Sequence, residues 1–412
     1  MNLFIRGVLL GEKNTNIEIA NGRIVAIGST LPTPPQATVI EGEGKAAFPT
    51  FANLHTHAAM VLFRGYGDDN PLQEWLNEWI WPKEKLLNSE MIYWAVRLAC
   101  IEMIKSGTTA FNDMYFFAAD AAKAIADSGI RAREGECLFG GCEPLLTTTP
   151  PGWQSKNITH AYNPHSIYTV TEEGLVRAAE YCKKHNQPFH IHMSETEQEV
   201  DDCIRQYGCR PYELIDRLGI LEMFKERFIG AHSLYLDEKE IDLIGRNGCT
   251  VVHNPNSNLK LGSGHQFLLK ELMEAGANVT LGTDGASSSN NLDMLEATKT
   301  MALLQKGWRK EPTTLTAEQA LTISTDNGFK ALGIDTGTIE VGKLADLMLV
   351  DLNNIAFVPN NNTTSNLIYA AHSDAIDTVI CDGNIVMRHR QVDGEQEVRT
   401  EVRKLAKTLL NC

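Results

Sequence analysis

Two histidines one residue apart, His55 and His57 in the run NLHTHAAM (residues 53–60), are the first residues here that could do chemistry. On a strand, positions i and i+2 face the same side, so both imidazoles project together and could share one ion. The apolar run before them, Ala46 to Ala52, has the length and composition of a buried strand. Taken alone, His-x-His reads equally well as two packed strand histidines. Further stretches change that reading: HIHMSE (His190, His192, Glu195), GAH ending in His232, and LGTDG containing Asp284. Together the imidazoles and the carboxylate make a donor set for zinc, with iron as second choice. A lone histidine is more often a satisfied polar residue, and Thr-Asp-Gly is more often a turn. Their joint appearance at the ends of apolar segments is hard to explain by turns or packing.

Eight apolar segments read as strands: Phe48–Leu54, Thr109–Met114, Arg131–Leu138, Thr159–Tyr168, Phe189–Met193, Phe228–Ala231, Thr250–Val252 and Asn278–Leu281. Helical patterns such as Glu90–Lys105, Glu172–Lys184 and Pro211–Leu218 separate most of them. Strict alternation predicts an α/β fold with a parallel sheet, and eight units favour a closed (β/α)8, TIM-like barrel. Barrel active sites form at the carboxyl ends of the strands. The candidates sit there, on strands one, five, six and eight. The ends of the chain differ in texture. Asn21-Gly22 and Asp382-Gly383 each join alternating segments, a hairpin signal. A small β-sandwich domain built from both termini, residues 1–47 and 338–412, is therefore expected around a barrel of residues 48–337. The stripe Val398, Val402, Leu405, Leu409 predicts a closing helix. Two low-complexity patches, Thr147–Pro151 and Asn360–Asn362, read as loops.

The 412 residues suffice for a barrel and a second module. A net charge of −15 with no basic run argues against nucleic acid or an anionic membrane as partner. No signal-like start and no bilayer-length apolar run appear. Nine dispersed cysteines without a C-x-x-C pair fit free thiols in a reducing cytoplasm. The expected partner is a small molecule, with a homo-oligomer left open.

In the order NLHTHAAM, HIHMSE, GAHSL, HNPNSNLKLGSG and LGTDGASSSNN, the chain resembles the amidohydrolase superfamily in its deaminase branch. Within that branch it looks most like the 5'-methylthioadenosine/S-adenosylhomocysteine deaminase group, whose relatives include triazine hydrolases and guanine deaminases. The resemblance implies His55, His57, His192 and Asp284 as metal ligands, with Glu195 and His232 catalytic and Asp284 both ligand and base. It implies one ion, zinc or iron, because strand four carries no bridging lysine or glutamate. The implied reaction is hydrolytic deamination: a water is deprotonated, Glu195 passes a proton to a ring nitrogen, and the amine leaves as ammonia. The cytidine-deaminase type of zinc site needs a Pro-Cys-x-x-Cys pair, which is absent.

The same resemblance places Trp75 and Glu84, in the long loop after strand one, against the ribose of a nucleoside, and His165 against substrate. Relatives that take S-adenosylhomocysteine carry an arginine beyond strand three; here Glu136 stands in that region. Small neutral 5' groups are therefore expected to be preferred. His190 reads as a packed, hydrogen-bonded histidine, and His253 as a residue that fixes the strand-seven loop. The favoured function is deamination of an adenine nucleoside. The alternatives are a deaminase or chlorohydrolase of another amino-heterocycle (guanine, a pterin, a triazine) and an inactive metal-binding barrel.

Overall fold

The computed structural model describes residues 2–142 and 155–410. The Thr147–Pro151 patch lies outside the described residues. Eight short strands run Phe51–Thr56, Thr108–Asp113, Arg131–Leu138, Ile158–Pro164, Phe189–Met193, Phe228–His232, Thr250–His253 and Asn278–Leu281. They are apolar and almost wholly buried, as parallel strands covered on both faces must be. The first four pair in parallel order, and so do the last four. Two seams join these halves, each at a candidate site residue. The His192 N–H donates to the His165 carbonyl at 3.0 Å, and the Asp284 N–H to the His55 carbonyl at 2.9 Å.

The covering helices start and stop where the sequence supplies caps. Asn88 accepts from the Met91 N–H at 3.0 Å and opens Ser89–Lys105. Thr171 caps Glu172–Lys184, which has acids in its first turn and lysines in its last, matching the helix dipole.

Both termini build one eight-stranded sheet. Its path runs from Asn384–Met387 through Ile376–Cys381, Leu347–Asp351, Lys45–Pro49, Leu3–Leu10 and Lys13–Ala20 to Arg23–Gly28, with Thr38–Glu41 also on Leu3–Leu10. Its hairpins turn at Asn21-Gly22 and Asp382-Gly383, where all four residues have φ between 51° and 79°. Alternation divides its side chains. Leu347 and Leu349 join a core of the sheet's own with Leu3, Ile5, Ile17 and Ile19. Met348 and Val350 point the other way, into the barrel's core.

Residues 48 and 49, expected to open the barrel, pair instead with Met348 and Leu347 in the terminal sheet. The apolar run is two strands because Pro49 has no N–H to continue a ladder. Arg131, buried at the foot of the third barrel strand, ties the two parts together. It donates to Asp346 at 2.8 Å and to Asp382 at 3.0 Å, both on the terminal sheet. The final helix, Glu395–Leu410, buries Val398, Val402, Leu405 and Leu409. Among the described residues, no helix is long and apolar enough to cross a membrane.

Candidate active site

The ends of the barrel strands converge on one buried cluster. His55 and His57 close the first strand, His192 lies in the fifth, His232 ends the sixth, and Asp284 follows the eighth. Asp284 Oδ1 is 3.2 Å from His57 Nε2 and 3.5 Å from His55 Nε2. His192 Nε2 is 3.3 Å from His57 Nε2. Ligand atoms of His55, His57 and His192 lie within 4.8 Å of one another, as do those of His55, His232 and Asp284.

Each donor is held by a neighbour that aims it. His57 Nδ1 sits 2.6 Å from the Met114 carbonyl and His192 Nδ1 2.6 Å from the His165 carbonyl. A carbonyl only accepts, so both Nδ1 atoms carry hydrogen and both Nε2 atoms face the cluster. Ser257 and Ser288 donate to Asp284 Oδ2 at 2.6 and 3.0 Å, leaving Oδ1 for the histidines. His55 Nδ1 is 3.0 Å from His190 Nε2, while the buried His55 Nε2 has no hydrogen-bond partner among the described residues.

The electrostatics describe a place for a cation. Burial disfavours the His57 cation, yet Asp284 beside it lifts its pKa to about 9. Burial takes His55 down to about 4 and His192 well below its ordinary value. Burial would also push the Asp284 carboxyl up, but His55 and His57 hold it well below the usual range. An anionic oxygen and converging imidazole nitrogens, one of them without a partner, fit a divalent metal ion that would displace the proton on His57.

Glu195 stands beside His232 at this cluster. Glu195 Oε2 is 3.8 Å from His232 Nε2, and its Oε1 accepts from Ser263 at 3.4 Å. Burial raises the Glu195 carboxyl above its ordinary value. One pocket is lined by His57, Trp75, Glu84, His165, His192, Glu195, His232 and Asp284. His55 does not line it and is fully buried. Trp75 is buried in a helical stretch, Leu72–Glu84, that covers one side. His165 stacks on Phe139 with ring centroids 5.0 Å apart.

Several partners were not legible in the sequence. Tyr115 donates to Glu84 Oε1 at 2.6 Å. Glu199 accepts from the Ser194 and Glu195 N–H groups at 2.9 and 2.8 Å, fixing the turn that carries Glu195. Asn258 Nδ2 donates to His232 Nδ1 at 3.0 Å. The only available signal was position, since each stands within a few residues of a barrel strand's carboxyl end. His190 is packed as expected, 3.0 Å from both His55 and Asn112. Among the described residues His253 has no side-chain hydrogen-bond partner; its ring stacks on Phe267 at 4.3 Å.

Residues 46–386 match the amidohydrolase family, and the chain belongs to it. Among curated relatives, a 5'-deoxyadenosine deaminase of Methanoregula boonei is 45% identical over 386 residues, 90% of this chain and 86% of that one. A 5-methylthioadenosine/S-adenosylhomocysteine deaminase 1 of Archaeoglobus fulgidus is 40% identical over 405 residues, 96% of this chain and 95% of that one. A crystal structure of an adenosine deaminase from Xanthomonas campestris with bound zinc is similar at TM-score 0.91 and 32% identity, over 100% of this chain and 99% of that one.

Proposed function

We propose that this chain is a metal-dependent aminohydrolase that deaminates an adenine nucleoside to its inosine analogue and ammonia. His55, His57, His192 and Asp284 would hold one divalent ion, zinc in first place and iron in second. When bound, the ion makes an attacking water acidic enough to react near neutral pH. Asp284 and His232 orient that water and take its proton. Glu195, whose carboxyl burial raises above its ordinary value, gives a proton to the ring nitrogen beside the target carbon, making that carbon electrophilic. The amine then takes a proton and leaves. Trp75 packs on the nucleoside, and Glu84 accepts from the ribose hydroxyls.

The observation that carries this reading is the pair Glu195 and His232, 3.8 Å apart and facing the donor cluster from the same pocket as Glu84. A barrel that only bound metal would need neither. Ammonia release from adenosine, 5'-deoxyadenosine, 5'-methylthioadenosine, S-adenosylhomocysteine and guanine tests it. An adenine nucleoside should lead. Guanine in the lead would reject the nucleoside assignment, and no ammonia from a metal-loaded protein would reject the enzyme.

A further inference from the structure

Three loops at the carboxyl end of the barrel meet on one cation. Lys260 ends the short helix Pro255–Lys260, which follows the seventh barrel strand. Its Nζ donates to Asp68 Oδ1 at 2.7 Å, in the segment after the first barrel strand. It also donates to Asn290 Oδ1 at 2.6 Å and to the Ser287 carbonyl at 3.1 Å, both in the loop after the eighth. Asn290 Nδ2 in turn donates to Asp68 Oδ2 at 2.9 Å. The three side chains therefore close a ring in which each pair is joined directly. A lone surface ion pair holds little. Here the two charged side chains are only 24% and 26% exposed and belong to a network, the case in which such a pair does hold.

The ring stands between two parts of the site. On one side is the stretch 257–263, in which Lys260 sits. Ser257 donates to Asp284, Asn258 to His232 and Ser263 to Glu195, at 2.6, 3.0 and 3.4 Å. On the other side is the cover of the pocket. Gly67, next to Asp68, has a φ of 71° and lies so close to the Trp79 ring that a Cβ would come within 2.7 Å of it. Tyr66 meets the same ring edge-on, with centroids 5.5 Å apart. Trp79 belongs to the helical stretch Leu72–Glu84, which brings Trp75 and Glu84 to the pocket.

We propose that Lys260 is a positioning residue: by holding Asp68 to the strand-seven segment, it sets the distance between the cover that binds the ribose and the groups that move protons. This rests on the nucleoside reading above, with the ribose at Glu84. Lys260 does not line the pocket, so it acts through Asp68 and the Trp79 contact. A nucleoside is gripped at both ends, its base at Glu195 and its ribose at Glu84, and these grips stand on different loops. When the tie is cut, the ribose grip weakens equally in the ground state and the transition state. Such a loss raises KM and leaves kcat in place.

The test compares the metal-loaded wild-type protein with Lys260→Met, Asp68→Ala and the double variant, using adenosine. Each single variant should raise KM at least tenfold, keep kcat within threefold and keep its metal. The double variant should be no worse than the singles, because all three cut the same tie. Asp68→Ala reads the tie from the other loop should Lys260→Met fail to fold. Amide hydrogen exchange over residues 72–84 of the unliganded, metal-loaded protein should speed at least tenfold in the single variants. A fall in kcat at unchanged KM, additive losses in the double variant, or unchanged exchange over 72–84 overturns the proposal. If the wild-type protein releases no ammonia from any adenine nucleoside yet the exchange over 72–84 speeds as expected, the deaminase reading fails and the tie stands. If adenosine turns over and neither KM nor exchange moves, the tie alone fails.

Discussion

At the scale of single residues, the proposed reading separates groups that would hold a cation from groups that would move a proton. His55 and His57 lie around one anionic oxygen of Asp284, and His192 meets His57. Elemental analysis of the purified protein should find about one divalent metal per chain, as a protein ligand set plus water implies. His192→Ala should lose it, and full occupancy in that variant would reject the ligand set. Glu195→Gln should keep the metal yet lose roughly 10²- to 10⁴-fold in kcat, since an amide hydrogen-bonds a ring nitrogen but cannot protonate it. Near-normal turnover would remove Glu195 from the mechanism. Tyr115→Phe takes from Glu84 its 2.6 Å donor. A hydrogen bond to a charged group contributes about 1.5–3 kcal/mol, so kcat/KM for a ribonucleoside should fall by roughly 10- to 100-fold. A smaller loss with the 2'-deoxynucleoside, which engages Glu84 less, would place the effect on the ribose. An equal loss would place it elsewhere.

At the scale of elements, strand and turn set the direction of each side chain. The strand-seven loop shows how a polar residue can be used as an apolar one. His253 is wholly buried on Phe267, and burial drives its pKa down to about 3. Between that value and the unfolded value near 6.5, the unfolded chain binds the extra proton. This share of stability is therefore complete above pH 6.5 and is lost as pH falls toward 3, by at most about 1.4 kcal/mol per pH unit. His253→Phe keeps the stacked ring and removes the titration. Chemical denaturation between pH 4 and 7 should give a flatter stability curve for the variant. Parallel curves would show that His253 is not the group responsible. The turn after strand five is held similarly by one carboxylate, Glu199, on two successive N–H groups.

At the scale of the whole molecule, the barrel and the terminal sheet are joined by a buried ion cluster. Arg131 lies between Asp346 and Asp382, with Asp346 fully buried. Removing the arginine would leave the buried Asp346 without its cation, while Asp382 keeps its ion pair with Lys156. Loss of one partner of a buried pair costs about 3–5 kcal/mol. Arg131→Met should lower unfolding free energy by about that much in urea titrations, while the variant that remains folded keeps its metal. A change under about 1 kcal/mol would show that apolar contacts alone hold the two parts together. The acidic surface, with its net charge of −15, suits an uncharged or cationic small substrate better than a polyanion.

The sequence by itself determined which residues could do chemistry and that they stand at strand ends. Period-two alternation places His55 beside His57, and each barrel strand is short enough to be read from local composition alone. The terminal helix and both hairpins were equally local, because a stripe of four apolar residues or an Asn-Gly pair needs no distant partner. Tertiary structure decided what local periodicity cannot carry. Arg131 meets Asp346 across 215 residues, Tyr115 meets Glu84 across 31, and Ser257 meets Asp284 across 27. Each of those contacts forms only when its two elements pack side by side. The sheet that residues 48 and 49 join was decided by their partners Met348 and Leu347, far along the chain. The use of Glu136 as the cap of a neighbouring helix was set by how close strand three runs to that helix's first N–H, a distance fixed by packing.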